Sequence, residues 1–156
     1  DLFSSFIKRR LGMRSSSKAL GLDQVPYMLN FDMVGRLRQD STLSISGTGT
    51  SPIWNQVLNS QNPGFNLVLK ESGVGPSDHT SFYLQDIPVL HFFTGQHEDY
   101  HRPTDTADKV DHAGLVKVAT FVKEALVYLV TREAPLKVKI EAFMPHWEQI
   151  KATSGQ

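Results

Sequence analysis

The sequence predicts an α/β domain in which a mixed, largely parallel sheet is layered with helices. Three observations carry this reading. Short apolar runs of strand length recur along the chain. Segments with apolar residues at helical spacing stand between them, and Gly, Pro and Asn punctuate the junctions. Strands that alternate with helices indicate a layered α/β domain, and ligands of such sheets gather beyond the carboxyl ends of the strands.

Taken in order, Leu2, Phe3, Phe6, Ile7 and Leu11 recur at helical spacing, so residues 1–12 are expected to form a short amphipathic helix, followed by an Arg/Ser-rich connection to Lys18. Residues 27–34, YMLNFDMV, suit a strand buried on both faces and ended by Gly35. Leu43 and Ile45 alternate with Thr42, Ser44 and Ser46, the pattern of a half-exposed strand. Ser51-Pro52 is a helix start, with Ser at the N-cap and Pro in the first turn. Ile53, Trp54, Val57 and Leu58 would be its buried face, and Asn62-Pro63-Gly64 its stop. Residues 65–70 alternate as a strand, 71–76 form a Gly-rich loop, and Ser77 is placed to cap a short helix reaching Leu84. Residues 87–93 read as another buried strand. Asp111 is expected to cap the longest helix, with Leu115, Val118, Val122, Leu126 and Leu129 inward. After Arg132 alternation persists briefly at Leu136, Val138 and Ile140 and then stops. The organisation is thus an N-terminal helix and connection over 1–24, the main body over 25–132 and an unassigned tail over 133–156.

The chain has 156 residues, one domain or a large piece of one. Lys+Arg and Asp+Glu balance at 16 each, so no overall field favours nucleic acid or an anionic membrane, and neither is expected as a partner. There are no cysteines, which excludes disulfides and thiolate metal sites and leaves His and carboxylate as possible ligands. No apolar run approaches the ~20 residues of a membrane span. The opening residues are not expected to act as a signal peptide, because polar positions split the apolar ones and Lys8-Arg9-Arg10 follows them. The chain does not begin with Met, and the reading expects a processed or excised piece.

Two polar features stand at strand ends. Asp32 lies within an apolar run, where a carboxylate needs a compensating cation. That cation is either a side chain, with Arg36 the nearest candidate, or a metal. The loop over 97–106, HEDYHRPTDT, follows a buried strand and holds two histidines, three carboxylates and a tyrosine. His101 could ligate a metal, with Asp105 orienting its second nitrogen. Tyr100 could donate to a developing oxyanion. The plainer alternative is a polar loop in which Thr104 and Asp105 cap a turn. Ser77-Asp78-His79 cannot be a catalytic triad, since those roles require convergence in space rather than adjacency. A polar helix start, with Asp78 or His79 bonding an approaching loop, fits better. His91 reads as a satisfied core histidine, and Lys8–Arg14 as a solvated face.

Three segments together, MLNFDMVGR (28–36), GPSDHTSFYLQDIPVLHFFTG (75–95) and DYHRPTDTADKV (99–110), resemble the C-terminal portion of the M28 zinc peptidases. The resemblance covers roughly residues 25–130. It implies a three-layer α/β/α sandwich, a co-catalytic dizinc site and aminopeptidase-like exopeptidase activity on peptides. By position it makes Asp32 a ligand of one zinc, His101 a ligand of the other and Tyr100 a contact to the substrate carbonyl. Asp78 and His79 become structural support, with Asp105 beside them. It also implies a His-x-Asp segment and a Glu-Glu pair upstream of the Asp32 strand. Here the first His is His79 and the first Glu is Glu71, so no general base is assigned in this chain. The resemblance implies a secreted or periplasmic setting.

Two other readings stand beside this one. A glutaminyl-cyclase-like single-zinc enzyme shares the fold, but Tyr100 stands where those relatives carry Trp. A catalytically inactive remnant or interaction domain would explain the missing ligands. In either case a sheet lacking its upstream half would expose an edge and favour a homo-oligomer.

Overall fold

A computed structural model of the chain describes residues 25–132. The expected helix over 1–12, its connection and the tail over 133–156 lie outside the described residues. In chain order the elements are β1 (Met28–Asp32), β2 (Thr42–Ser46), α1 (Trp54–Gln61), β3 (Asn66–Lys70), α2 (His79–Tyr83), β4 (Val89–Phe93), a 3-10 turn (Ala107–Lys109) and α3 (His112–Val130).

The strands form one sheet in the order β1-β4-β2-β3. β1 runs parallel to β4, from Met28 opposite Val89 to Asp32 opposite Phe93. β2 runs parallel to β3 and antiparallel to β4, with Ile45 opposite Phe92. The sheet is therefore mixed and mostly parallel, as the alternation of elements predicts.

Two-residue periodicity sorts the side chains onto two faces. Leu43, Ile45, Leu90 and Phe92 project to one face and meet Trp54, Val57 and Leu58 of α1 and Val118, Phe121, Val122 and Ala125 of α3 in a single apolar core. On the other face the register aligns Asn30, His91 and Ser46 across three strands. α2 packs there against β1 and β4, with the His79 ring stacked on His91 at 4.3 Å. Helices thus flank both faces.

Several expectations are corrected. β1 is not buried on both faces: its residues are half-buried and Phe31 is 46% exposed. Among the described residues β4 is its one neighbour, so a sequence suited to a sheet interior lies at an edge. The buried face of α3 runs through Gly114, Val118, Phe121, Val122, Ala125 and Leu129, while Leu115 is half-buried and Leu126 is exposed. Phe121 takes the inward position because it packs against Phe65 and Phe92. Asp111 does cap this helix, accepting from the Gly114 amide at 3.0 Å. At the start of α1 the Trp54 amide donates to the Ser51 carbonyl at 3.3 Å and the regular helix begins only at Trp54.

The β2–β4 junction is fastened by Thr50. Its hydroxyl lies 2.7 Å from the Gly47 carbonyl and 3.0 Å from that of Val89, and accepts from the Val89 amide and Trp54 Nε1, both at 3.0 Å. Gly47, at φ 89°, is required here because a Cβ would lie 2.3 Å from the Val89 carbonyl oxygen.

Candidate active site

β1 and β4 are parallel neighbours, so their carboxyl ends open on the same side of the sheet. Asp32 ends β1, and the loop carrying Tyr100 and His101 leaves β4 beside it. Met33 turns the chain out of β1 with φ 52°, and its carbonyl accepts from the Thr94 hydroxyl of the neighbouring exit. A cleft of about 840 Å³ results. Asn30 and Asp32 of β1, Ser77 and Asp78 before α2, and Tyr100, His101 and Asp105 after β4 all line it.

Asp32 does not pair with Arg36. Its Oδ2 accepts from the Ser77 hydroxyl at 2.9 Å. Ser77 is therefore not a side-chain cap for α2, as expected from sequence; its carbonyl accepts from Thr80 while its hydroxyl reaches across to β1. Ser77 Oγ accepts in turn from Asn30 Nδ2 at 2.9 Å, and Asn30 Nδ2 also lies 3.0 Å from His91 Nδ1.

Behind this row sits His79, with 0% of its surface exposed. It bonds no loop, since neither ring nitrogen has a hydrogen-bond partner. Desolvation by burial, and then proximity to His91, push its pKa down to about 4, so the ring is neutral. Burial lowers His91 in the same direction. Gly75 lets the loop before α2 lie on the ring: a Cβ there would be 3.0 Å from His79 Nε2.

Arg36 serves the loop instead. Its guanidinium meets Asp105 at 2.5 Å and the buried Asp99 at 3.3 Å. Lys109 meets the other oxygen of Asp99 at 2.7 Å. Hydrogen bonds from Lys109, Thr104 and Arg36 bring the Asp99 carboxyl down to about 2. The Asp111 amide also donates to the Gly35 carbonyl at 2.9 Å. The exit of β1 and the whole segment between β4 and α3 are thus tied together. Potential ligand atoms of His97, Asp99 and Asp105 lie within 4.8 Å of one another, but Arg36 and Lys109 already supply the cations that these carboxylates require. Asp105 is spent on Arg36 and stands 3.9 Å from His97 Nε2.

His101 holds a left-handed backbone, φ 55°, unusual for a residue with a Cβ. Such conformations cluster at functional sites. Its exposed ring packs on Tyr100, with centroids 4.0 Å apart, and Tyr100 is 38% exposed.

Zinc accepts carboxylate oxygen and imidazole nitrogen. Asp32 and His101 offer one of each to the same cleft. Ser77 engages Oδ2 of Asp32, and Oδ1 has no hydrogen bond among the described residues. This pair fits zinc as part of a ligand set and falls short of a full one.

Sequence reasoning singles out Asp32, Tyr100 and His101, which the fold gathers. It misses Asn30 and the active part of Ser77. The spacing of Asn30 and Asp32, two apart on a strand and so on one face, is the signal that could have found the first.

A mostly parallel α/β sheet thus sets a carboxylate, an imidazole and a phenol around one cleft beyond its strand ends. The chain belongs to peptidase family M28, whose model matches residues 11–126. No curated protein matches the chain. Among solved structures it is similar to the LapA aminopeptidase of Legionella pneumophila, with TM-score 0.60 and 16% identity over 84% of this chain and 35% of that one. That likeness shows the fold. It is also similar to an aminopeptidase from Aneurinibacillus sp. strain AM-1, with TM-score 0.58 and 26% identity over 85% of this chain and 32% of that one. The chain spans about a third of the length of these structures.

Proposed function

We propose that this chain forms part of a zinc-dependent, aminopeptidase-like exopeptidase site. The observation that carries the reading is the convergence of Asp32 and His101, distant in sequence, on one cleft. In this reading Asp32 Oδ1 would hold one zinc and an imidazole nitrogen of His101 the other. The metal, when bound, supplies Lewis acidity toward the scissile carbonyl. Tyr100 donates its phenolic proton as a hydrogen bond to the oxygen on which negative charge develops. Arg36 holds the loop that presents Tyr100 and His101, and Ser77 fixes the Asp32 carboxylate. The general base and the remaining ligands come from elsewhere in the complete site, in keeping with the chain's span of about a third of the matched aminopeptidases.

By itself the chain therefore binds zinc weakly and turns over little substrate. Calorimetric zinc titration should show binding that Asp32→Ala and His101→Ala each weaken; binding indifferent to both substitutions would rule out this assignment. A leucine-anilide assay with added zinc should show no turnover by the isolated chain. Chelator-sensitive turnover lost in His101→Ala would instead show that the chain is self-sufficient.

A further inference from the structure

Four side chains on the α2 face of the sheet form a continuous row from a buried imidazole to the cleft. Asn30 Nδ2 lies 3.0 Å from His91 Nδ1 and 2.9 Å from Ser77 Oγ, and Ser77 Oγ lies 2.9 Å from Asp32 Oδ2. Their meeting follows from the fold. Strand alternation puts Asn30 and Asp32 on one face, the parallel register sets His91 beside Asn30, and the loop before α2 brings Ser77 over both.

We infer that Asn30 is a positioning residue of this site, whose amide sets the direction of the whole row so that Ser77 can only donate to Asp32. A serine hydroxyl has one proton to give, and a carboxylate only accepts. The proton of Ser77 is therefore committed to Asp32, and Ser77 Oγ must receive a donor from Asn30. Were the amide turned so that its oxygen faced the row, Ser77 would meet two acceptors with a single proton, and a pair of oxygens would stand in contact with none between them. The donor at the middle of the row and the acceptor at its end thus match: with the Asn30 N–H on Ser77 Oγ, the one Ser77 proton is left for Asp32.

The second N–H of the same Nδ2 then points at His91 Nδ1. That nitrogen must accept, which places the His91 proton on Nε2. Hydrogen bonds run outward from Asn30 in both directions, to His91 and through Ser77 to Asp32. The buried His79 ring stacked on His91 closes the inner end, and burial disfavours the imidazolium that would reverse that bond. The Asn30 amide nitrogen is taken up by His91 and Ser77, and it acts through Ser77 on the carboxylate. Its value for metal binding rests on the reading of Asp32 as a ligand given above, whereas the direction of the row does not.

The test is nitrogen and carboxyl-carbon NMR on the full 156-residue chain at neutral pH without metal. In the unmodified chain His91 Nδ1 should give the shift of an unprotonated ring nitrogen and Nε2 that of a protonated one. Asn30→Asp keeps the shape and removes both donors, so the His91 proton should move to Nδ1 and the Asp32 carboxyl signal should shift as Ser77 turns to residue 30. Ser77→Ala should move the Asp32 signal and leave the His91 tautomer unchanged. A protonated Nδ1 in the unmodified chain overturns the inference even if Asn30→Asp does not fold. So does an Asn30→Asp chain that folds and leaves both signals in place. Zinc added to the unmodified chain should shift the Asp32 carboxyl carbon, and Asn30→Leu, which removes the donors without adding a charge beside Asp32, should weaken that binding ~10–100-fold, the usual effect of losing a partner that orients a ligand. An Asp32 signal indifferent to zinc, beside the expected His91 tautomer, would sink the ligand assignment and leave the direction of the row standing. Unchanged zinc affinity in a folded Asn30→Leu chain would overturn the positioning role.

Discussion

Single buried residues set the pH response and the local rigidity of this domain. Folding presses the His79 pKa from its ordinary 6.5 to about 4, because the ring leaves water without gaining a partner. Between those values the unfolded chain binds the proton more readily than the folded one, so stability is complete above pH 6.5 and is lost as pH falls toward 4. A shift of that size corresponds to on the order of 3 kcal/mol. Urea unfolding midpoints should therefore decline across this interval, and His79→Phe should flatten most of the decline. Thr50 makes the complementary case. Thr50→Val would leave the Val89 amide and Trp54 Nε1 without their buried acceptor. It should cost about 2–4 kcal/mol in urea denaturation, with much of the loss recovered in Thr50→Ser. The core position of Trp54 is readable from helical spacing, but the role of Thr50 is not. Its partners come from two other segments, and nothing in the local residue pattern marks a hydroxyl as a junction.

At the level of elements, the order of strands and helices is legible because each depends on periodicities spanning a few residues. Their exposure is less so. The run over 27–34 reads as a fully buried strand, yet β1 is half-buried, since burial depends on which neighbour a strand finds rather than on its own apolarity. For the same reason the inward face of α3 is centred on Phe121, not on Leu126. The loop after β4 is the element on which the candidate site depends, and Arg36 with Asp99 and Asp105 is its main tie to β1. Arg36→Met would leave the buried Asp99 with Lys109 as its remaining cation and Asp105 with none. Amide hydrogen exchange over 97–109 should accelerate in that variant while exchange in the β2–β3 ladder stays unchanged. Arg36→Lys should give an intermediate result, because an ammonium replaces the charge but not the two-pronged geometry. Uniform acceleration throughout the domain would instead mean that Arg36 acts on global stability.

At the scale of the whole molecule, two of the exposed apolar features among the described residues are the outer strand and the outer side of α3. Phe31 at the outer strand is 46% exposed, and Val116, Val127 and Val130 on the outer side of α3 are 64%, 45% and 66% exposed. Edge strands and contiguous apolar patches promote association. We expect the weight-average mass in sedimentation experiments to rise with protein concentration, and a chain carrying Phe31→Lys, Val127→Lys and Val130→Lys to remain monomeric. A single monomeric species for the unmodified chain at all concentrations would show that these surfaces are too small or too dispersed to associate.

The amino-acid sequence by itself determined the strand and helix order, much of the core and the motifs of an M28 peptidase, because these are written in spacings within short stretches of chain. Tertiary structure alone decided that Arg36 joins Asp99 and Asp105 while Asp32 joins Ser77, that Asn30 and His91 stand side by side, and that Asp32 and His101 share a cleft. Those choices depend on the parallel pairing of β1 with β4 and on its register. A one-residue slip would turn Asn30, Asp32 and His91 to opposite faces, and no local pattern of residues reports which strand will lie beside which.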